Sequence, residues 1–241
     1  MVKLVLTEDE TMLADAARGF LDKSAPVKAF RDLRDAGQTH DAKMWKEMAA
    51  MGWAGVLVPE SAGGVDMGHA AAGILAQEMG KTLAVSPFLS TAVIAATALR
   101  HVSDARAEAA LAKIASGDAT YALAVDETSK FNPDATAMTA TAEGNGFRLT
   151  GKKTFVVDGA LADRLLVLAK TDNGLTLFDI PADRAGITRN AQNMIDARDS
   201  ARIDFDNVEA TGDDVLGQVD DAMTVLKPAI EAGQAALAAE M

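Results

Sequence analysis

The feature that most constrains the fold is one change of hydrophobic periodicity near Asp118. Residues 7–117 repeat apolar side chains at helical spacing, whereas residues 118–213 form short β-branched and aromatic runs between glycine-containing turns. Helical spacing returns in residues 214–241. We therefore expect an α+β protein: an all-α N-terminal domain (1–117), an antiparallel β-barrel domain (118–213) and the first helix of a C-terminal helical bundle (214–241).

Helix ends are recognisable in the first part. Thr7 followed by Glu10 forms a capping box and predicts a helix start. A second helix is predicted to stop at Gly52, and two more lie on either side of Pro87. A shorter helix is expected to begin after a Ser103 cap. The N-terminal layer should thus contain five or so helices.

The β part is marked by its turns. Asn-Gly pairs at 145–146 and 173–174 and a Thr-Gly pair at 150–151 favour hairpins, and together they predict a barrel or sandwich of about 100 residues. The stretch 149–163, LTGKKTFVVDGALAD, is therefore expected to be a strand pair with a tight turn. On pattern alone, it is a plain barrel hairpin whose apolar residues enter the core.

Composition excludes several classes of function. The chain carries 35 acidic and 23 basic side chains, a net charge of −12, so a phosphate backbone would meet repulsion and we expect no nucleic-acid partner. It has no cysteine, and its three histidines lack ligand spacing, so we expect neither a disulfide nor a metal site. No apolar run approaches the roughly 18 residues of a membrane span, which predicts a cytoplasmic protein without one.

Single motifs are weak. The glycine-rich stretch PESAGGVDMG (59–68) lacks the preceding strand and the following Lys-Ser/Thr of a phosphate loop, so we interpret it as a turn. The methionines at 44, 48 and 51 share a helix face and are expected in the core. Acidic runs near residues 8 and 220 fall at predicted helix starts, where their negative charge interacts favourably with the helix dipole.

Four segments taken in order are more specific than any single motif. They are WKEMAAMGWAGVLVPESAGGVDMG (45–68), ILAQEMGKTLAVSPFLST (74–91), FRLTGKKTFVVDGALADRLLVLAK (147–170) and DARDSARIDFDNVEATGDDVLG (196–217). In the residues of these segments and in their order, the chain resembles the acyl-CoA dehydrogenase family over nearly all of its 241 residues.

That resemblance implies an activity. In the family, FAD lies between the β domain and a C-terminal bundle, and an acyl-CoA thioester runs between helices. A glutamate removes the α-proton while the β-hydrogen passes as hydride to the flavin, which gives the trans-2-enoyl-CoA. Electrons then leave through an electron-transfer flavoprotein. An acyl-CoA substrate, FAD and this acceptor are therefore the expected partners.

The resemblance also locates a flavin site on two strands. Its expected residues are Tyr121, Leu123, Ala124, Phe155, Val156 and Val157. Phe155 stands where the family usually has tryptophan, and Ala124 and Val157 stand where it usually has threonine. Losing two neutral hydroxyl hydrogen bonds would cost about 1–3 kcal/mol, which weakens a flavin site without abolishing it.

The catalytic glutamate of the family belongs to the C-terminal bundle, so we expect the base beyond Met241 and a chain that is inactive alone, as a fragment of a longer enzyme. The apolar residues Leu226, Ile230 and Leu237 would then need a cover, which predicts a homo- or hetero-oligomer. One alternative is a non-catalytic or half-site subunit of a heteromeric acyl-CoA dehydrogenase complex. Another is an α-plus-β binding protein without flavin.

Overall fold

The computed structural model describes residues 5–196 and 198–241 as a helical layer packed against a curled sheet. The helices are α1 (Glu8–Ser24), α2 (Val27–Asp35), α3 (Ala42–Ala50), α4 (Gly68–Thr82), a π-helical segment (Phe88–Ala95) that continues as α5 (Ala96–Arg100), and α6 (Ala105–Ala115). The strands are β1 (Tyr121–Ala124), β2 (Thr139–Glu143), β3 (Gly146–Val157), β4 (Arg164–Lys170), β5 (Leu175–Pro181), β6 (Ile187–Ala191) and β7 (Ser200–Thr211), followed by helix α7 (Ala222–Glu240).

The structure tests the two helix caps predicted from the sequence, those of α1 and α6. The capping box is confirmed: the Thr7 hydroxyl accepts the Glu10 N–H at 3.2 Å, and the Glu10 carboxylate accepts the Thr7 N–H at 2.7 Å. The predicted Ser103 cap is wrong, because α6 is capped by Asp104, whose carboxylate accepts the Ala107 N–H at 2.7 Å. The negative charge of this cap also interacts favourably with the dipole of the helix.

The sheet is mixed rather than purely antiparallel. Four strand pairs are antiparallel (β2–β3, β3–β7, β6–β7 and β4–β5), but β1 runs parallel to β4. A parallel pair needs a long crossover between its strands. Here the β2–β3 hairpin lies between β1 and β4 in the chain and serves as that crossover. The sheet curls into a half-barrel.

The predicted turn at Thr150–Gly151 is wrong, although the hairpin turns at 144–145 and 171–174 are confirmed. Strand β3 runs through the Thr-Gly pair without reversing, and its register against β7 shifts there. Gly151 has φ +151°, and a Cβ at this position would lie 2.8 Å from Cα of Met138. Glycine therefore permits a close backbone approach opposite a bulge in β7, where three residue steps face two steps on β3.

Two hydrophobic clusters make up the core. One fills the half-barrel, with Leu149, Val156, Phe178 and Ile203 fully buried. The other lies between the N-terminal helices, the outer face of the sheet and α7. Leu226 of α7 is completely buried in this second cluster, whereas Leu237 stays 39% exposed. The chain itself therefore covers part of the apolar face for which we expected an external cover.

Helix α7 packs closely on α4. A Cβ at Gly80 would lie 1.9 Å from the carbonyl oxygen of Glu240, so only glycine permits this approach. The C-terminal helix thus shares one core with the N-terminal helices. No helix within the described ranges is both long and apolar enough to cross a bilayer.

Polar contacts join the helical layer to the sheet. Thr91 of the π-helical segment accepts the Tyr121 N–H at 2.9 Å and donates to the Tyr121 carbonyl at 3.2 Å. Ser90 donates to the carboxyl group of Asp158, just after β3, at 2.5 Å. Burial raises the pKa of Asp158 to about 7, even though the Ser90 hydrogen bond favours the charged form.

A buried ion pair ties the loop after β1 to β3. Lys153 has no exposed surface, and its Nζ donates to Glu127 at 2.8 Å and to the Val125 carbonyl at 3.0 Å. Burial lowers the pKa of Lys153, although Glu127 favours its charged form. Burial acts to raise the pKa of Glu127, but hydrogen bonds from Lys153 and two backbone N–H groups outweigh it and lower that pKa.

The Asp158→Asn variant is expected to gain stability relative to the wild type as pH rises. The folded-state pKa of about 7 exceeds the ordinary aspartate value of 3.8, so the wild type loses stability between these two values as pH rises. An amide avoids this loss and still accepts from Ser90. Thermal melts at about pH 5 and about pH 8 should show a larger variant-minus-wild-type difference at the higher pH. Asp206→Asn, at an exposed site, is the control; a difference independent of pH would contradict the expectation.

The Lys153→Met variant is expected to lose about 3–5 kcal/mol of unfolding free energy, because it leaves the half-buried Glu127 carboxylate without its cation. Urea unfolding measures the loss. Adding Glu127→Gln removes the unpaired charge and should recover part of it. A loss below about 1 kcal/mol, the range of an exposed pair, would show that the pair does not hold the loop.

Candidate functional site

A bulge in β3 itself shapes the exposed end of this strand. Lys153 pairs with Ile203 and Val156 with Ala201, so three residue steps on β3 oppose two steps on β7. The bulge therefore holds one extra residue. Phe155 lies within it at φ +52°, a left-handed conformation that bulky residues rarely adopt.

Both bulge N–H groups find acceptors outside the strand ladder. The Thr154 N–H donates to the Asp126 carbonyl at 2.8 Å. The Phe155 N–H donates to Oε1 of Gln192 at 3.0 Å. Gln192 follows directly on β6, and its own N–H donates to the Ser200 carbonyl at 2.8 Å. The bulge is thus held from the β1 side and from the β6–β7 side.

This arrangement places an apolar strip at the surface. Phe155 is 41% exposed and Val157 is 37% exposed, and the two flank Val156, which is buried. We call this pair the apolar strip. It offers a wall to a flat apolar ligand, with the polar groups of Gln192 and Asp126 beside it.

The other residues expected at the flavin lie further inside. Ala124 and Val156 belong to the half-barrel core, and Tyr121 belongs to the core shared with the helices. Leu123 is half-buried and packs against that second core. The structure thus brings Phe155 and Val157 together at the surface, while the remaining four support the two strands from within.

One polar atom beside the bulge lacks a partner. Oδ1 of Asp126 is buried and has no hydrogen-bond partner among the described residues. Burial raises the pKa of Asp126, and Lys153 partly offsets this rise. A buried polar atom of this kind is costly unless a ligand or water satisfies it. Asp126 therefore marks a place where a ligand group with a hydrogen-bonding edge would fit.

The sequence interpretation missed Asp126 and Gln192. Asp126 had a weak local signal, since it is the acidic residue just after an apolar strand. Gln192 had none, because its role depends on a contact with a residue 37 positions away in sequence.

Cavities lie around the segment that follows α4. A narrow cavity beside Asp158 is lined by Val85, before the π-helical segment, and by Phe88 and Leu89 at the start of that segment. Two larger openings, of about 270 Å³ and about 550 Å³, share Leu83, Ala84 and Val85 with one another. Phe30 of α2 lines both openings. The partly apolar lining of these cavities suits an elongated ligand.

No cluster of three His, Asp or Glu side chains is placed to hold a metal ion in the part of the chain that the structure describes. The chemistry available at the strip is therefore that of apolar contact, amide and carboxyl groups.

Comparison with known proteins gives consistent matches. Residues 7–118 match the family model for the acyl-CoA dehydrogenase N-terminal domain. Acyl-CoA dehydrogenase FadE27 of Mycobacterium tuberculosis is 32% identical over 162 residues, which covers 67% of this chain and 42% of that protein. The 3-(aryl)acrylate reductase of Clostridium sporogenes is 25% identical over 250 residues, which covers 98% of this chain and 66% of that protein. The chain thus spans less than two thirds of the length of either relative.

A solved structure supports the same relationship. A variant of the Tcur3481-Tcur3483 steroid ACAD superposes with a TM-score of 0.85 at 27% identity, over 97% of this chain and 62% of that one. The matching segments include both the helical layer and the curled sheet. From its domain match, its relatives and its fold, the chain belongs to the acyl-CoA dehydrogenase family.

Proposed function

We propose that this chain is part of an FAD-dependent acyl-CoA dehydrogenase that oxidises an acyl-CoA to the trans-2-enoyl-CoA. The observation that carries the proposal is the apolar strip: two exposed apolar side chains, held outward by a bulge, near a buried carboxyl oxygen that has no hydrogen-bond partner in residues 5–196 and 198–241. Membership of the family supplies the reaction class.

The residues present fit an isoalloxazine ring. Phe155 and Val157 give its flat surface an apolar wall, and aromatic contacts of this kind are favourable beyond simple burial. The unpaired Asp126 oxygen gives a polar ring edge a hydrogen-bond partner that it would otherwise lack. FAD bound here would supply the hydride acceptor that no amino-acid side chain provides.

The site is also expected to be a weak one. Ala124 and Val157 offer no hydroxyl groups, and Ala124 is fully buried in the half-barrel. Two missing neutral hydrogen bonds reduce cofactor affinity by about 5- to 150-fold. FAD retention should therefore depend on what else encloses the cofactor.

We assign to this chain the work of binding and orientation rather than proton abstraction. The strip orients the ring, and the cavities around Leu83–Val85, one of which is also lined by Asp158 next to the strip, give an acyl chain partly apolar walls. The carboxylate that removes the α-proton is proposed to come from outside these 241 residues, as the family resemblance implies. Electron-transfer flavoprotein is the proposed acceptor.

A second candidate is a half-site subunit of a heteromeric complex. The missing hydroxyls at positions 124 and 157 favour it, because a weak flavin site is tolerable where a partner subunit carries the competent one. The likeness to a steroid ACAD whose name joins two components, Tcur3481 and Tcur3483, supports the same assembly. In this version the occupied flavin site includes residues of the partner.

Phe155→Ala is expected to weaken FAD binding by about tenfold, because it removes an aromatic contact and exposes part of the ring. Absorbance near 450 nm of the purified chain shows whether FAD is retained, and quenching of flavin fluorescence gives the dissociation constant. Met12→Ala, at a 65% exposed apolar residue of α1, is the matched control. Equal affinities for the wild type and Phe155→Ala would contradict the assignment of the strip.

The chain by itself, supplied with FAD, is expected not to reduce ferrocenium with butanoyl-CoA, octanoyl-CoA or palmitoyl-CoA, since a positioned base contributes about 10²–10⁴ in rate. Turnover by the chain alone would show that the base lies within it. Light scattering then separates the two candidates. A homo-oligomer that binds FAD fully would contradict the half-site version, and co-purification with a second, related chain would favour it.

A further inference from the structure

We propose that Gln192 is a positioning residue that holds Phe155 on the cofactor face by accepting its backbone N–H. This inference rests on the proposed function, because the face it serves is the proposed FAD site. Gln192 does not itself have to touch the cofactor, since its effect passes through the conformation of the bulge.

The burial pattern along β3 departs from that of a regular strand. Lys153 and Val156 are both fully buried although they lie three positions apart, whereas a regular strand would bury positions two apart. The extra residue of the bulge allows both Lys153 and Val156 to be buried and leaves the Phe155 side chain exposed. If the bulge slipped by one residue, inward and outward positions would exchange.

Phe155 has an unusual backbone conformation. Its φ of +52° is unfavourable for a bulky side chain, so the bulge needs contacts that outweigh a return to regular strand. The Phe155 N–H has no ladder partner and donates instead to Oε1 of Gln192 at 3.0 Å. That hydrogen bond would be lost if Phe155 rejoined the ladder.

Gln192 is itself held by contacts with Ser200 and Thr154. Its N–H donates to the Ser200 carbonyl at 2.8 Å, its Nε2 donates to the Thr154 hydroxyl at 3.4 Å, and the Ser200 hydroxyl lies 3.5 Å from its Oε1. These contacts leave Oε1 as the atom that faces Phe155. The β6–β7 pairing, which ends at Ala191 and Ala201, thus sets the position of the bulge on β3.

The contact between Gln192 and Phe155 is expected to contribute little to the overall stability of the fold. Gln192 is half-buried and Phe155 is exposed, so their contact buries little apolar surface. Loss of the Gln192 acceptor should therefore alter the cofactor face more than it alters the melting temperature.

The test compares Gln192→Leu, which removes the acceptor, with Gln192→Glu, which keeps one. Asn193→Leu, at the exposed neighbouring position, is the matched control. In the full chain, Gln192→Leu is expected to speed hydrogen exchange at the Phe155 amide and to weaken FAD binding about 5- to 10-fold. Gln192→Glu should retain most of both properties, and all three variants should melt close to the wild type.

A double-mutant cycle decides whether Gln192 acts through Phe155. In a Phe155→Ala background, Gln192→Leu is expected to change FAD affinity no further. An equal loss in both backgrounds would overturn the inference, as would unchanged amide exchange in Gln192→Leu. A wild-type chain that fails to bind FAD overturns the proposed function and the cofactor part of this inference together, whereas amide exchange still decides whether Gln192 holds the bulge.

Discussion

One extra residue in β3, at Thr154–Phe155, is the constraint on which the rest of the site depends. On the inner side of the strand it lets Lys153 and Val156 both enter the interior. On the outer side it turns Phe155 and Val157 toward solvent. The same local irregularity thus anchors the loop after β1, through Lys153 and Glu127, and creates the apolar strip.

The site lies where the half-barrel meets the helical layer. Asp158, the residue after the strip, receives the Ser90 hydroxyl hydrogen bond, and Thr91 binds the first residue of β1 through two hydrogen bonds. Helix α7 then closes the layer from behind by packing on α4 at Gly80. Helix α7 shares a core with the N-terminal helices, and its residues Leu237 and Glu240 line one of the cavities around Leu83–Val85.

Features that depend on local sequence were predictable. The change of period near Asp118, the Thr7–Glu10 capping box and the Asn-Gly hairpins each rest on residues within a few positions of one another. The Thr150–Gly151 pair was wrongly predicted to be a turn, because a glycine with positive φ can also permit a close backbone approach within a strand. The parallel β1–β4 pair and the Gln192 contact depend on chain segments about 40 residues apart, and no local pattern encodes them. Of the six residues expected at the flavin, only Phe155 and Val157 reach the surface as a pair, because their exposure is set by the bulge rather than by the order of residue types.

A crystal structure of the chain soaked with FAD would show whether the apolar strip forms a wall of a flavin site. We expect the isoalloxazine ring within about 4 Å of side-chain carbons of both Phe155 and Val157, with a polar ring atom within about 3.2 Å of Asp126 Oδ1. Electron density for the ring elsewhere on the protein, with the strip still exposed to solvent, would contradict this expectation.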